Sequence, residues 1–397
     1  MQLQLDTNKL KDHLKSAISW LTGPGCCYEN TPVGKLGETM NYANWLGAIK
    51  GEYSAATKEW SVACPYWHTG QAVKALVFAS EVLENKEELL EAAKFSAQFL
   101  LSNQRSNGLF PAIECAENEI NTSATLETVD GLFYLSSATK EPKYQEAAVA
   151  ALEWVSKNAW MKDKKLFRDI YIESLNQFIY NTNSAQDRPL LDDAVFVKGW
   201  KLTGDKELLQ VALDTADTLF RDENPVGNWI KYVPCSPVFD SIHPRHAYWW
   251  GNPMLDLYNV TNEERYKECF IRATNWYRNA LRTDGGLFRR TSSSFMTDSF
   301  GHATSGTACA VLMFLRCLEA FDDKTLIPHI EKALTYCCNL QFTHPKDQNL
   351  QGAILEKVTP PDGSDDSPYY LRDLATIFFI QAACEYITMQ EKGLLNC

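Results

Sequence analysis

At 397 residues, with 45% hydrophobic, 12% aromatic and 22% charged residues, the chain has ample material for a large core and does not have the composition of a disordered segment. A net charge of -12 offers no basic patch to phosphate backbones or anionic lipid, so neither nucleic acid nor a membrane is an expected partner. An acidic ligand would need a local arginine cluster working against that overall sign.

The first residues carry Asp6, Lys9, Lys11, Asp12 and Lys15 and lack the apolar core of a signal peptide. No uninterrupted apolar run reaches the roughly 18 residues of a membrane helix, so the expected location is cytoplasmic. Leu10, His13, Leu14, Ala17, Ile18 and Leu21 form the i, i+3, i+4, i+7 stripe of an amphipathic helix. The stripe returns in the same register after polar turns at Asn85, Lys140, Gly204, Asn262 and Asp322, starting at Leu89, Tyr144, Leu208, Tyr266 and Leu326. The period is about 60 residues.

Before each turn, and again near the C-terminus, lies a second, less charged helix, roughly 66–83, 123–138, 187–202, 246–260, 302–321 and 372–387. These six are apolar on more than one face, which places them inside the outer six. Short extended elements are expected at Leu109-Phe110, Leu166-Phe167, Trp229-Ile230 and Leu287-Phe288. Six helical hairpins favour a closed ring over an open solenoid. The expected fold is therefore all-α, an (α/α)6 toroid forming a single catalytic domain over 1–397, with a homo-oligomer left open. The twelve cysteines are scattered through helical patterns and read as reduced core thiols. Cys26-Cys27 and Cys337-Cys338 lack the spacing of a zinc site, and neither a metal nor another cofactor is expected.

In such a ring every inner helix begins on one face, so function is sought there. Trp67, His68, Gln71, Arg188, His243, Arg245, His246, Trp249, Trp250, His302, Tyr369 and Arg372 all fall near inner starts. Tryptophan beside fixed polar groups suits sugar recognition, because the ring packs on C–H patches while the polar groups bind hydroxyls. Arg188, Arg245 and Arg372 could form a planar fork for a carboxylate, although salt bridges at helix starts explain them nearly as well. Glycoside hydrolysis commonly uses two carboxyl groups. Glu114 and Asp187 are the candidates by position, with Asp187 also readable as a helix N-cap. Asp192 and Asp193 lie deeper, where one of them could orient Arg188 or His68, and Asp192 joins the catalytic candidates.

The hairpin pattern, with the turn LTGDKEL at 202–208 and the GLF loops, resembles the six-hairpin glycosidase superfamily over essentially the whole chain. Its uronate-acting members are the nearest functional types: toroidal β-glucuronidases and unsaturated glucuronyl or rhamnogalacturonyl hydrolases. Val129-Asp130-Gly131-Leu132-Phe133 looks like their second-helix aspartate segment, although Asp130 is deep in its helix. His68 stands where an unsaturated-uronyl hydrolase would have aspartate, which favours ordinary uronide cleavage. The resemblance implies a hydrolase releasing terminal uronic acid from an anionic carbohydrate, with β-glucuronidase the leading activity. The segment 243–250 is also similar to histidine segments of sugar 2-epimerases. A polysaccharide lyase and a non-enzymatic toroid that binds sugar or protein complete the alternatives.

Overall fold

Asp6 and Asp205 each precede a helix and accept backbone N–H groups of its first turn, Asp6 from Asn8 and Lys9 and Asp205 from Glu207. These caps satisfy donors that a helix start leaves open. At the other end of the inner helices, Lys140, Gly204, Asn262 and Asp322 adopt left-handed backbone conformation as helix C-caps. A left-handed residue stops the helix and turns the chain toward the next one. Four of the five polar turns that mark the sequence period are therefore the reversal points of the hairpins. The fifth, Asn85, is the N-cap of its outer helix.

The structure, a computed structural model, describes residues 5–40, 43–113, 119–179, 187–296, 303–356 and 370–395. The described helices are, in chain order, α1 (Thr7–Leu21), α2 (Gly34–Thr39), α3 (Pro65–Val82), α4 (Lys86–Asn103), α5 (Thr122–Thr139), α6 (Pro142–Asn158) and α7 (Val195–Thr203). They continue with α8 (Lys206–Asp222), α9 (His246–Gly251), α10 (Pro253–Thr261), α11 (Glu264–Ala280), α12 (Thr304–Phe321), α13 (Ile327–Asn339) and α14 (Leu374–Glu391). The inner helices α3, α5, α7, α10 and α12 pack on the outer helices that follow them, α4, α6, α8, α11 and α13. Helix α14 packs on α1, α12 and α3 and so closes the ring. The sixth hairpin thus joins the two ends of the described chain, and Trp20 Nε1 donates to Asn349 O at 2.7 Å beside it. The fold is the expected all-α toroid.

The outer stripes face inward as their spacing requires: Leu208, Val211, Ala212, Thr215, Ala216 and Leu219 of α8 are all buried. The inner helices α3, α5, α12 and α14 are buried over most of their surface. Helix α12 is long and apolar enough, by composition alone, to cross a membrane, and here it lies inside the ring. The fourth inner helix breaks at Asn252-Pro253, where proline cannot supply the helical N–H. At this break Arg316 donates to the Asn252 carbonyl at 3.2 Å. All ten cysteines among the described residues are buried and free, and no described group of His, Cys, Asp and Glu has the arrangement of a metal site.

Three expectations on local structure need correction. Of the short extended elements, Leu166–Phe167 is a strand, paired with Trp160–Met161. The segments at Leu109 and Leu287 are not strands, because neighbouring backbone groups close local turns instead: Arg105 N donates to Leu109 O and Arg282 N to Gly286 O. Trp229-Ile230 also lies outside the strands, with its ring donating to Leu219 O at 2.8 Å. The third inner helix starts at the 3-10 turn Asp192–Ala194 rather than at Asp187, and Arg372 lies in strand Tyr370–Arg372, just ahead of α14.

Candidate active site

The starts of the inner helices bring the predicted aromatic and basic residues together. Pro65 opens α3, and Trp67 and His68 follow in its first turn. Arg245 precedes α9, and its guanidinium lies over two indoles, 5.4 Å from the Trp67 centroid and 5.3 Å from that of Trp249. His243 stacks on Trp249 at 5.1 Å, with the rings nearly parallel. One column therefore runs His243, Trp249, Arg245, Trp67, and the edge of Trp67 meets His68 at 4.3 Å. Arg245 donates to Ser305 Oγ at 3.2 Å, and no described carboxylate lies within ion-pairing distance of it.

Ser305 relays this contact onward. Its hydroxyl donates to Glu356 Oε1 at 2.8 Å, its backbone N–H donates to Glu356 Oε2 at 2.7 Å, and Arg289 approaches Glu356 at 3.7 Å. Arg245, Arg289 and Arg372 are near enough that the other two oppose the charge on Arg289, although burial is the larger cause of its lowered pKa. The same Arg245 and Arg289 charges reinforce burial in holding His243 well below the ordinary histidine value. Arg245, Arg289 and Arg372 thus form a local cluster of positive charge in an acidic chain.

His68 is fully buried, with Nδ1 2.6 Å from Asp373 Oδ1. Burial lowers the histidine pKa against the pull of the carboxylate, and burial raises that of Asp373. His68 is held neutral, and its Nε2 is buried with no partner among the described residues. His246 is also neutral, its pKa pushed down to about 3 by burial and then by Arg188.

The carboxylates divide sharply. Asp187, expected as a cap or catalytic group, caps no helix, since the turn begins at Asp192. It pairs instead with Lys164 at 3.2 Å. Arg188, expected to face substrate, donates to Asp169 at 2.6 Å and to Ser123 at 2.6 Å. Arg372 is paired with Glu52 on the adjoining strand. Asp193 holds Gln71 at 2.9 Å and Lys74 at 3.3 Å, so Gln71 belongs to a network inside the ring rather than to its face. Neither Asp192 nor Asp193 orients His68. Asp373 does, and Asp169 holds Arg188. Asp192 is buried, and one of its oxygens has no hydrogen-bond partner among the described residues. Burial pushes its pKa up to about 7, against the attraction of Arg188. Asp130 lies deep, between Lys74 and Lys198.

Trp250, expected to contact sugar, is fully buried against Trp229 and Tyr232. Glu114, His302 and Tyr369 lie outside the described residues. The sequence reading missed Glu356, Arg289, Asp169 and Cys235. Arg289 directly follows the GLF motif of its loop, which was an available signal; the others sit in loops whose sequence carries no period.

No family model matches the sequence, and no curated protein matches it. Solved structures do. A cellobiose 2-epimerase from Bacillus thermoamylovorans is similar over 96% of this chain and 98% of its own, at 12% identity and TM-score 0.71. An unsaturated glucuronyl hydrolase specific for heparin is similar over 97% and 99%, at 15% identity and TM-score 0.71. A family 76 mannosidase from Bacteroides thetaiotaomicron is similar over 97% and 100%, at 12% identity and TM-score 0.66. At such identities the likeness is one of fold alone, an (α/α)6 toroid.

Proposed function

We propose that the protein is a glycoside hydrolase that removes a terminal uronic acid from an oligosaccharide or glycoconjugate, with Asp192 as its proton donor. The observation that carries this reading is the buried Asp192 carboxyl, whose pKa near 7 lets it hold and release a proton at neutral pH. The other described carboxylates of this face, Asp169, Asp187, Asp373, Glu52 and Glu356, all have basic partners. Arg245, with no ion-paired carboxylate among the described residues, supports an anionic sugar held between Trp67 and Trp249.

Cleavage of a saturated β-glucuronide needs a second carboxyl group, and Glu114 is the candidate for it. Hydration of an unsaturated uronyl group needs one acid to protonate the alkene carbon while water adds to its neighbour. The Asp192 carboxyl, able to give up a proton near neutral pH, supports this alternative, whereas the identity of residue 68 opposes it. The two separate in one assay: nitrophenol released from 4-nitrophenyl β-D-glucuronide, or ultraviolet absorbance lost from an unsaturated uronyl disaccharide. No turnover of either rejects the proposal.

A second reading, a sugar 2-epimerase, rests on the His68–Asp373 pair, because a neutral histidine oriented by a carboxylate is equipped to take a proton beside a carbonyl. Conversion of free mannose or cellobiose in the same assay selects it. A cytoplasmic setting belongs to the same proposal, supported by ten free, buried thiols.

A further inference from the structure

Cys235 lies in the loop before α9, and no step above uses it. Its sulfur is 2.9 Å from Nδ1 of His246, the first residue of α9, and accepts the backbone N–H of His243 at 3.2 Å. His246 Nε2 is buried and has no partner among the described residues. We propose that Cys235 is a positioning residue: its S–H donates to His246 Nδ1, fixing the Nε2–H tautomer, so that His246 offers a hydrogen-bond donor to bound sugar.

The assignment follows from counting donors. Sulfur already accepts from His243 N–H. If it also accepted from an Nδ1–H of His246, the thiol proton would have no acceptor among the described residues. With S–H donating, both contacts are satisfied, and the ring proton goes to Nε2. Burial acts in the same direction. It pushes the Cys235 thiol up to about 12, so the sulfur keeps its proton, and it keeps the imidazole neutral.

His243 has the same polarity, since its Nδ1 accepts the Arg245 backbone N–H at 3.3 Å. His68 is the opposite case. Its Nδ1 faces a carboxylate, which fixes the proton there and leaves Nε2 as a lone pair. Two histidines of this face are therefore donors and one is an acceptor. A sugar hydroxyl or carboxylate oxygen suits His246, whereas proton removal suits only His68. That part of the inference rests on the sugar-hydrolase reading; the tautomer does not.

The test uses the full chain with 15N-labelled histidine, and His246→Gln assigns the His246 resonances. Nitrogen shifts distinguish protonated from unprotonated ring nitrogens. Wild type is expected to carry its proton on Nε2. Cys235→Ser keeps a donor, so it should hold that tautomer, whereas Cys235→Ala should release a mixture of the two. On whichever uronide turns over, Cys235→Ala should lose about tenfold in kcat/KM, mainly through KM, and Cys235→Ser should recover most of it. A proton on Nδ1 in wild type overturns the proposal, as does a Cys235→Ala variant that keeps both tautomer and kcat/KM. If no uronide turns over, the hydrolase reading fails by itself and the nitrogen shifts still decide the tautomer. If Cys235→Ala does not fold, wild type and Cys235→Ser decide it.

Discussion

Gly70 and Gly131 meet backbone to backbone where α3 crosses α5: a Cβ on Gly131 would lie 1.9 Å from the Gly70 carbonyl oxygen. That oxygen belongs to a helix and cannot swing away, so Gly131→Ala must push two inner helices apart. The expected cost is about 3 kcal/mol or more, read by denaturant unfolding. Gly204 provides the contrast. It has φ +75 and nothing within 4 Å of the added carbon, so Gly204→Ala should cost only about 1 kcal/mol, from its left-handed backbone. Equal losses at both positions would refute the close crossing.

Asp192→Asn keeps the shape and removes the proton. Turnover of the uronide should fall by about two orders of magnitude or more. In wild type, kcat should decline as pH rises through about 7, since the acid must be protonated. Stability has its own sign. A carboxyl with a raised folded pKa binds more protons folded than unfolded, so stability falls between roughly pH 4 and pH 7, by at most roughly 4 kcal/mol. Unfolding midpoints across that range should show less of this decline in Asp192→Asn, and an unchanged slope would rule out the raised pKa.

Arg245→Ala and Arg188→Ala separate recognition from support. Loss of Arg245 should raise KM for a uronide far more than for the matching neutral glycoside, by roughly 1.5 to 3 kcal/mol of binding. Loss of Arg188 strands the buried Asp169 carboxylate, so it should destabilise the fold by about 3 kcal/mol and affect both substrates alike. Equal KM effects of Arg245→Ala on the two glycosides would remove the anionic-sugar assignment.

Asp187→Asn is expected to be nearly silent in kcat and to change stability by less than about 1 kcal/mol, because its described ionic contact is with the half-exposed Lys164. A folded Asn variant with a hundredfold loss in kcat would return Asp187 to the chemistry.

The ring was legible in the sequence because both of its signals are local. A stripe such as Leu208 to Leu219 reports one buried helix face, and polar turns such as Gly204 and Asn262 report left-handed reversals. The candidate site was legible only as a neighbourhood: Trp67, His68, His243, Arg245 and Trp249 do converge. Partnership was not. Asp169 reaches Arg188 and Glu356 reaches Ser305 across loops that spacing does not index. Asp187 looked like a cap because the expected helix began five residues too soon, before the left-handed kink at Asp193 and Ala194.

The union of α1 with α14 has a consequence for how the molecule is made. Along the chain α1 is made first, and α14, the helix that it must cover, emerges only after the other described helices. Until then the seam stands open, with Leu10, Leu14 and Ile18 lacking their partner. Long-range contacts of this kind form late and slowly. A polypeptide truncated before α14 therefore leaves an apolar gap in its wall, between α1, α3 and α12.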